Sequence, residues 1–282
     1  PVEKYLPEFS GLRVGREVGE GIVYEPLKRP LTVYDLLRHT AGLTYGVFFR
    51  SPVKGLYLEA GVDRFDLSRE VFLERLAALP LRFQPGETFE YGLATDLLGH
   101  LLEALAGRSL AELLEERLFR PLGMKDSGFQ AKDPARLAQP FPKDPETGHS
   151  LRLLPVETPP PRYAGGMGGV GTAADYLAFL EALRLGRGAL SPTMAGFMVQ
   201  DHLGSLYPEA LKRGPEYLPG PGYSFGLGVA VRVEPMGYSP GALGEWTWAG
   251  FGGTFFFVDP LQEITALYLA QAPNLLSVLE PE

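Results

Sequence analysis

Tyr91 stands where a proton-handling group would be useful. It lies in the run Phe89-Glu90-Tyr91-Gly92-Leu93-Ala94-Thr95-Asp96-Leu97-Leu98-Gly99, which follows a turn at Pro85-Gly86 and leads into a strongly apolar helix. A tyrosine in a loop that opens onto a buried helix is held by a rigid element while its phenol stays available. The alternative is a half-buried aromatic whose hydroxyl finds one partner. A second candidate is Ser51-Pro52-Val53-Lys54, the only Ser-x-x-Lys in the chain. A serine hydroxyl attacks only when a neighbour takes its proton, and Ser and Lys at i, i+3 share a face if they open a helix. Pro52 suits such a start. Gly55 and the aromatic, irregular stretch 44–66 do not, so Ser51 reads as a rim or loop residue, with Ser51 as nucleophile beside Lys54 the alternative.

The histidines, His39, His100, His149 and His202, show no His-Glu-x-x-His spacing, so a metal site is not expected. Neither His39 nor His100 has a serine and an acid at recognisable spacing, so a Ser-His-Asp triad is not supported. His39 reads as a turn residue and His100 as lying on the polar side of its helix. Gly166, Gly168 and Gly171 form a Gly-x-Gly-x-x-Gly, but a dinucleotide site needs a strand immediately before it. The preceding Thr158-Pro159-Pro160-Pro161-Arg162-Tyr163 cannot be a central strand. Those glycines therefore mark a close backbone approach, and no cofactor is expected.

The elements that would position these residues follow from caps and periodicity. Residues 1–30 read as an extended connector. Thr32 caps a helix from Val33 with Asp35 completing a capping box, and Ser68 caps a second in which Val71, Phe72, Leu76 and Leu79 make one face. After Tyr91, Leu97, Leu98, Leu101, Leu102 and Leu105 form a wide apolar stripe closed by Gly107. Ser109 with Glu112 starts another helix, Thr172 with Asp175 a further one, and Ser191-Pro192 the last. Residues 130–163 are Pro-rich and without period, a long surface loop. From 222 the period drops to two: Phe225, Leu227, Val229, Val231 and Val233 alternate with small or polar residues. Three more β-runs follow, 244–248, 254–258 and 264–270, joined by short turns. Helices first and strands last give an α+β fold with an antiparallel meander, not alternating βαβ units.

Composition bounds the function. With 45% hydrophobic and 21% charged residues, the chain is that of a folded globular protein. A net charge of −8 disfavours nucleic acid or an anionic membrane as partner. No apolar run approaches a membrane span, and no signal peptide is visible, which slightly favours a soluble, cytoplasmic protein. There is no cysteine to pair or to bind zinc. Arginines outnumber lysines 19 to 7 and asparagine occurs once, at Asn274, a composition that fits a heat-adapted source.

Several segments together resemble the serine β-lactamase-like superfamily, which includes penicillin-binding proteins and family VIII carboxylesterases. They are Tyr5-Leu6-Pro7-Glu8-Phe9, Leu31 through Leu43, Gln84-Pro85-Gly86-Glu87, Tyr91 through Gly99, Pro121-Leu122-Gly123-Met124, Gly165 through Tyr176, Phe225-Gly226-Leu227-Gly228 and Trp248 through Pro260. They follow the family's order over nearly the whole chain. The resemblance implies an antiparallel sheet flanked by helices, a helical domain inserted in it, and an active site between the two. On that plan residues 1–30 are a connector within the mixed domain, 31–215 the mainly helical domain, and 216–282 the antiparallel strands of the mixed domain.

Family members use a Ser-x-x-Lys, a Tyr-centred loop and a late edge strand. The resemblance makes Tyr91 the second of these, a phenol that serves only if nearby positive charge stabilises its phenolate. Trp248-Ala249-Gly250 then stands in place of Lys-Thr-Gly, and the N–H of Phe251 is one oxyanion-hole donor. Losing such a donor costs roughly 2.7–4 kcal/mol of barrier. Leu93 stands where β-lactamases carry an Asn. Trp248 and Leu93 thus offer apolar surface where a β-lactam or D-Ala-D-Ala peptide needs polar partners, although Trp248 could instead be plain sheet packing. The implied activity is hydrolysis of small uncharged acyl esters through an acyl-serine, with a β-lactamase or D-Ala-D-Ala peptidase as the alternative. The family's Ser-x-x-Lys lies ahead of the Tyr-Leu-Pro segment that opens this chain. The expectation is that the N-terminal strands and nucleophile helix are missing from residues 1–282, leaving them inactive alone or acting as a non-catalytic binding protein. An uncovered sheet edge would also permit self-association.

Overall fold

Capping side chains set most of the helix starts. The computed structural model describes residues 1–143, 148, 150, 154–237 and 239–272. In chain order the helices are α1 (Val33–Leu37), α2 (Pro52–Ala60), α3 (Arg69–Ala78), α4 (Ala94–Ala106), α5 (Leu110–Leu114), α6 (Ala173–Arg184), α7 (Pro192–Met198) and α8 (Tyr207–Leu211). The strands are β1 (Arg13–Val18), β2 (Gly21–Pro26), β3 (Tyr223–Phe225), β4 (Ala230–Arg232), β5 (Trp246–Gly250), β6 (Thr254–Asp259) and β7 (Ile264–Tyr268). Thr32 and Asp35 form the capping box of α1. The hydroxyls of Ser68, Thr172 and Ser191 each accept from the third backbone N–H of their own helices. The chain divides into two compact units. One comprises Pro1–Leu110, Pro161–Met167 and His202–Gly228; the other comprises Ala111–Pro160, Gly168–Asp201 and Val229–Glu282.

In the first unit, residues 13–26 are not an extended connector but a hairpin, β1 pairing antiparallel with β2 from Arg13↔Pro26 to Val18↔Gly21. Gly15 and Arg13 of β1 also exchange backbone hydrogen bonds with Leu81, at 2.8 Å each. The core gathers Leu36, Leu43, Val53, Tyr57, Phe72, Leu76, Leu81, Leu93 and Leu97, all fully buried. Two readings change here. The stretch 44–66 contains helix α2, because Ser51 caps it, Pro52 fills its first turn, and Gly61 ends it at φ +58; burial of Val53 and Tyr57 outweighs the cost of Gly55 within it. In α4 the buried face centres on Ala94, Leu97 and Leu101, whereas Leu102 and Leu105 are 45% and 52% exposed. His100, expected on the polar side, is wholly buried. The leucines span more of the helix circumference than the core covers, so packing rather than composition picks the face.

In the second unit β4 to β7 form an antiparallel meander, paired Val231↔Trp246, Trp246↔Val258 through Gly250↔Thr254, and Phe255↔Tyr268 through Asp259↔Ile264. Because side chains alternate across a strand, Trp246, Phe256 and Val258 turn to a core shared with Leu180 and Leu183 of α6 and Ala195 of α7. Phe255, Ile264 and Tyr268 lie on exposed positions. Asp259 ties the β6–β7 turn by accepting from the N–H groups of Leu261 and Gln262. Among the described residues, no helix is long and apolar enough to cross a membrane.

Candidate active site

Tyr91 sits in the first unit, half-buried, its ring between His39 and Tyr45 at centroid distances of 4.8 and 5.5 Å. Gly92 lets the loop pass hard against the 43–44 segment. A Cβ there would lie 2.4 Å from both the Leu43 carbonyl oxygen and the Thr44 Cα, closer than real carbons approach. Leu93 is the N-cap residue of α4 and is fully buried in the core, so its side chain fills packing space rather than offering exposed surface.

The residue before Tyr91 has no place in the sequence reading, yet it carries most of the polar contacts of the loop. Glu90 is buried, and its carboxylate accepts from the Thr44 hydroxyl at 2.5 Å and pairs with Arg82 at 3.2 Å and Lys54 at 3.6 Å. Arg213 pairs with the same carboxylate and also donates to the Phe89 carbonyl. Glu216 joins the cluster through Arg82 at 2.6 Å and Arg213 at 2.7 Å. Burial pushes the Glu216 carboxyl up, but hydrogen bonds from Arg82 and Arg213 outweigh it and hold the group at about 2. The signal that could have pointed here is the apolar context itself: a glutamate between Phe89 and Tyr91 on a buried loop must find partners.

Ser51 and Lys54 are drawn into other tasks. The Ser51 hydroxyl accepts from the Lys54 backbone N–H at 3.4 Å, capping α2. The buried Lys54 amine reaches Glu90 and, at 3.9 Å, Glu216. Desolvation lowers its pKa despite the attraction of Glu90.

His39 has φ +54 and is buried against Phe89, Tyr91 and Phe225. Its Nε2 lies 3.2 Å from the Thr95 hydroxyl, while its Nδ1 has no hydrogen-bond partner among the described residues. Burial drives its pKa down to about 3, so the ring is neutral. His100 is tied to Glu103 at 2.8 Å, and His149 lies outside the described residues. On the far side of Tyr45, Asp96 pairs with the buried Arg162 at 3.2 Å. A Cβ on Gly166 would lie 2.5 Å from Asp96 Oδ2, and one on Gly165 would lie 2.2 Å from the Thr95 carbonyl oxygen. Gly165 and Gly166 thus make a close backbone approach to α4. Burial first, then the charges of Asp96, Tyr91 and Asp63, push the Tyr45 phenol well above its usual range.

Trp248, Gly250 and Phe251 belong to the second unit. Trp248 packs, half-buried, beside the core of Trp246 and Phe256. β4 pairs with Trp246 and Thr247 of β5, and β6 pairs with β5 from Trp246 to Gly250. The strand ends at Gly250, whose carbonyl accepts from Gly253 at 3.0 Å, and Phe251 opens the turn with 53% of its surface exposed.

A family model described as Beta-lactamase matches residues 1–278, and the chain belongs to that family. Esterase EstB of Burkholderia gladioli is 33% identical over 290 residues, covering 95% of this chain and 69% of that protein. The lovastatin esterase of Penicillium rubens is 30% identical over 269 residues, covering 88% of this chain and 66% of that one. Among solved structures, EstCE1, described as a hydrolase with promiscuous acyltransferase activity, superposes with a TM-score of 0.76 at 31% identity, covering 96% of this chain and 72% of its own. The chain is therefore a member of the serine β-lactamase-like superfamily, related to its esterases, with the mixed helical and antiparallel fold of that group.

Proposed function

We propose that the protein is a β-lactamase-like serine hydrolase acting on small, uncharged acyl esters. A serine oxygen attacks the ester carbonyl, the carbon–oxygen bond to the alcohol breaks as the alcohol leaves with a proton, and water then cleaves the acyl-serine. Tyr91 is the second proton-transfer group. Trp248 and Gly250 line the acyl group, and the Phe251 N–H is an oxyanion donor. The observation that carries the substrate class is Trp248, a large indole where family members that bind a substrate carboxylate have lysine; the esterase relatives support it. Leu93 acts by fixing the start of α4 behind Tyr91.

The nucleophile is not Ser51. Its hydroxyl accepts a hydrogen bond from its own helix, and the amine that would activate it is engaged with Glu90 and Glu216. Residues 1–282 by themselves are inactive on this reading, since removal of a nucleophile costs on the order of a million-fold in kcat. Treating residues 1–282 with a fluorophosphonate tests this: no adduct is expected, and an adduct mapped to Ser51 would overturn the assignment.

A further inference from the structure

We propose that Glu90 is the positioning residue of Tyr91: its buried carboxylate, hydrogen-bonded to Thr44 and paired with Lys54, Arg82 and Arg213, fixes where the phenol sits. The inference rests on the role given to Tyr91 above and adds a residue that the reading there does not use.

Three observations carry it. First, the attachments are strictly local to the loop yet drawn from distant parts of the sequence. The Phe89 carbonyl accepts from Arg213, the Glu90 N–H donates to the His39 carbonyl at 2.7 Å, and the Glu90 carboxylate meets residues 44, 54, 82 and 213. Second, Gly92 is jammed against Leu43 and Thr44, and Thr44 is also the neutral partner of Glu90. The residues on both sides of Tyr91 therefore bear on one short segment. Third, the cluster makes poor sense as a stability device. Buried ion pairs are commonly matched or bettered by apolar packing of similar volume, and this loop already abuts an apolar core. What several directional bonds from separate segments supply is a single position, and reacting groups lose rate steeply when misplaced by about 1 Å. Lys54, the one lysine of the Ser-x-x-Lys, thereby acquires a role that needs no serine.

The test follows the phenol directly. With 3-fluorotyrosine in place of the 13 tyrosines, the Tyr91 fluorine resonance is assigned by its loss in Tyr91→Phe. Glu90→Ala removes the hub, Glu90→Gln keeps its shape without its charge, and Thr44→Val removes one bond and leaves every charge. The expected displacement or broadening of the Tyr91 resonance is largest in Glu90→Ala, smaller in Glu90→Gln and smallest in Thr44→Val. Leu76→Ala, a core truncation in α3, should destabilise the protein without moving that resonance. If Glu90→Ala does not fold, the two milder variants decide. A folded Glu90 variant with the Tyr91 resonance unmoved, or an equal movement in Leu76→Ala, would refute the assignment. The resonance reports on the loop whether or not an ester is hydrolysed, so this result stands apart from the hydrolase reading. In active protein the same reading predicts a fall in kcat of about tenfold or more for Glu90→Gln with KM little changed.

Discussion

At the scale of the residue, Gly92 and His39 decide how Tyr91 is held. Gly92 has no space for a methyl group, because the obstacle is the Leu43 and Thr44 backbone rather than a flexible side chain. Gly92→Ala is therefore expected to cost at least about 2 kcal/mol in denaturant unfolding; a change within about 0.5 kcal/mol would contradict the packing described. His39 is neutral and buried, with a folded pKa of about 3 against an ordinary 6.5. Its contribution to stability is full above pH 6.5. Below that the unfolded chain takes up a proton and the folded one does not, so about 1.4 kcal/mol is lost per pH unit down to about pH 3. Other groups add their own slopes. The Asp63 carboxyl, raised to about 6 by burial, takes up a proton on folding and opposes the loss below pH 6, while Glu216 adds to it below about 4.5. The clean quantity is a difference. The stability gap between the natural protein and His39→Asn, whose asparagine tolerates the positive φ, should shrink steadily from pH 6.5 to 4; a gap independent of pH would refute a neutral His39. The place of Tyr91, in a loop just ahead of α4, was legible because its loop, turn and helix are contiguous in sequence. Glu90 was not, since nothing local shows that residues 44, 54, 82 and 213 converge on it.

At the scale of the element, α2 separates a cap from a nucleophile. A helix could have been read from Ser51-Pro52 at one end and Gly61 at the other, but Gly55 and the aromatic neighbours argued against it, and only the burial of Val53, Lys54 and Tyr57 resolves the matter. Ser51→Ala should lower stability by about 1 kcal/mol, the usual cost of losing an N-cap, and, in a polypeptide that also carries a family Ser-x-x-Lys segment, leave ester hydrolysis unchanged. Loss of activity without loss of stability would point to the opposite role. Helix α4 shows the complementary limit of sequence reading. Its existence, its glycine cap and its apolar character were plain, yet which leucines are buried depended on the elements packed around it, and so His100 went to the core while Leu102 and Leu105 went to solvent. The capped starts of α1, α3, α6 and α7 were legible for the opposite reason, each being a hydrogen bond between residues three apart.

At the scale of the whole molecule, the order of segments from Tyr5 to Pro260 carried the family where no single motif would have, and the match over residues 1–278 bears it out. The α+β order was equally legible, because the switch from helical to alternating period near residue 222 spans several consecutive elements. What the family does not fix is the chemistry at Trp248, and there one comparison is decisive. A polypeptide in which residues 1–282 follow a family Ser-x-x-Lys segment would be assayed with p-nitrophenyl butyrate and with a chromogenic cephalosporin, beside its Tyr91→Phe variant. The account predicts efficient ester hydrolysis, little cephalosporin cleavage, and a loss of about 10²- to 10⁴-fold in the variant. Cephalosporin cleavage with no turnover of the ester, or full ester activity in Tyr91→Phe, would contradict it.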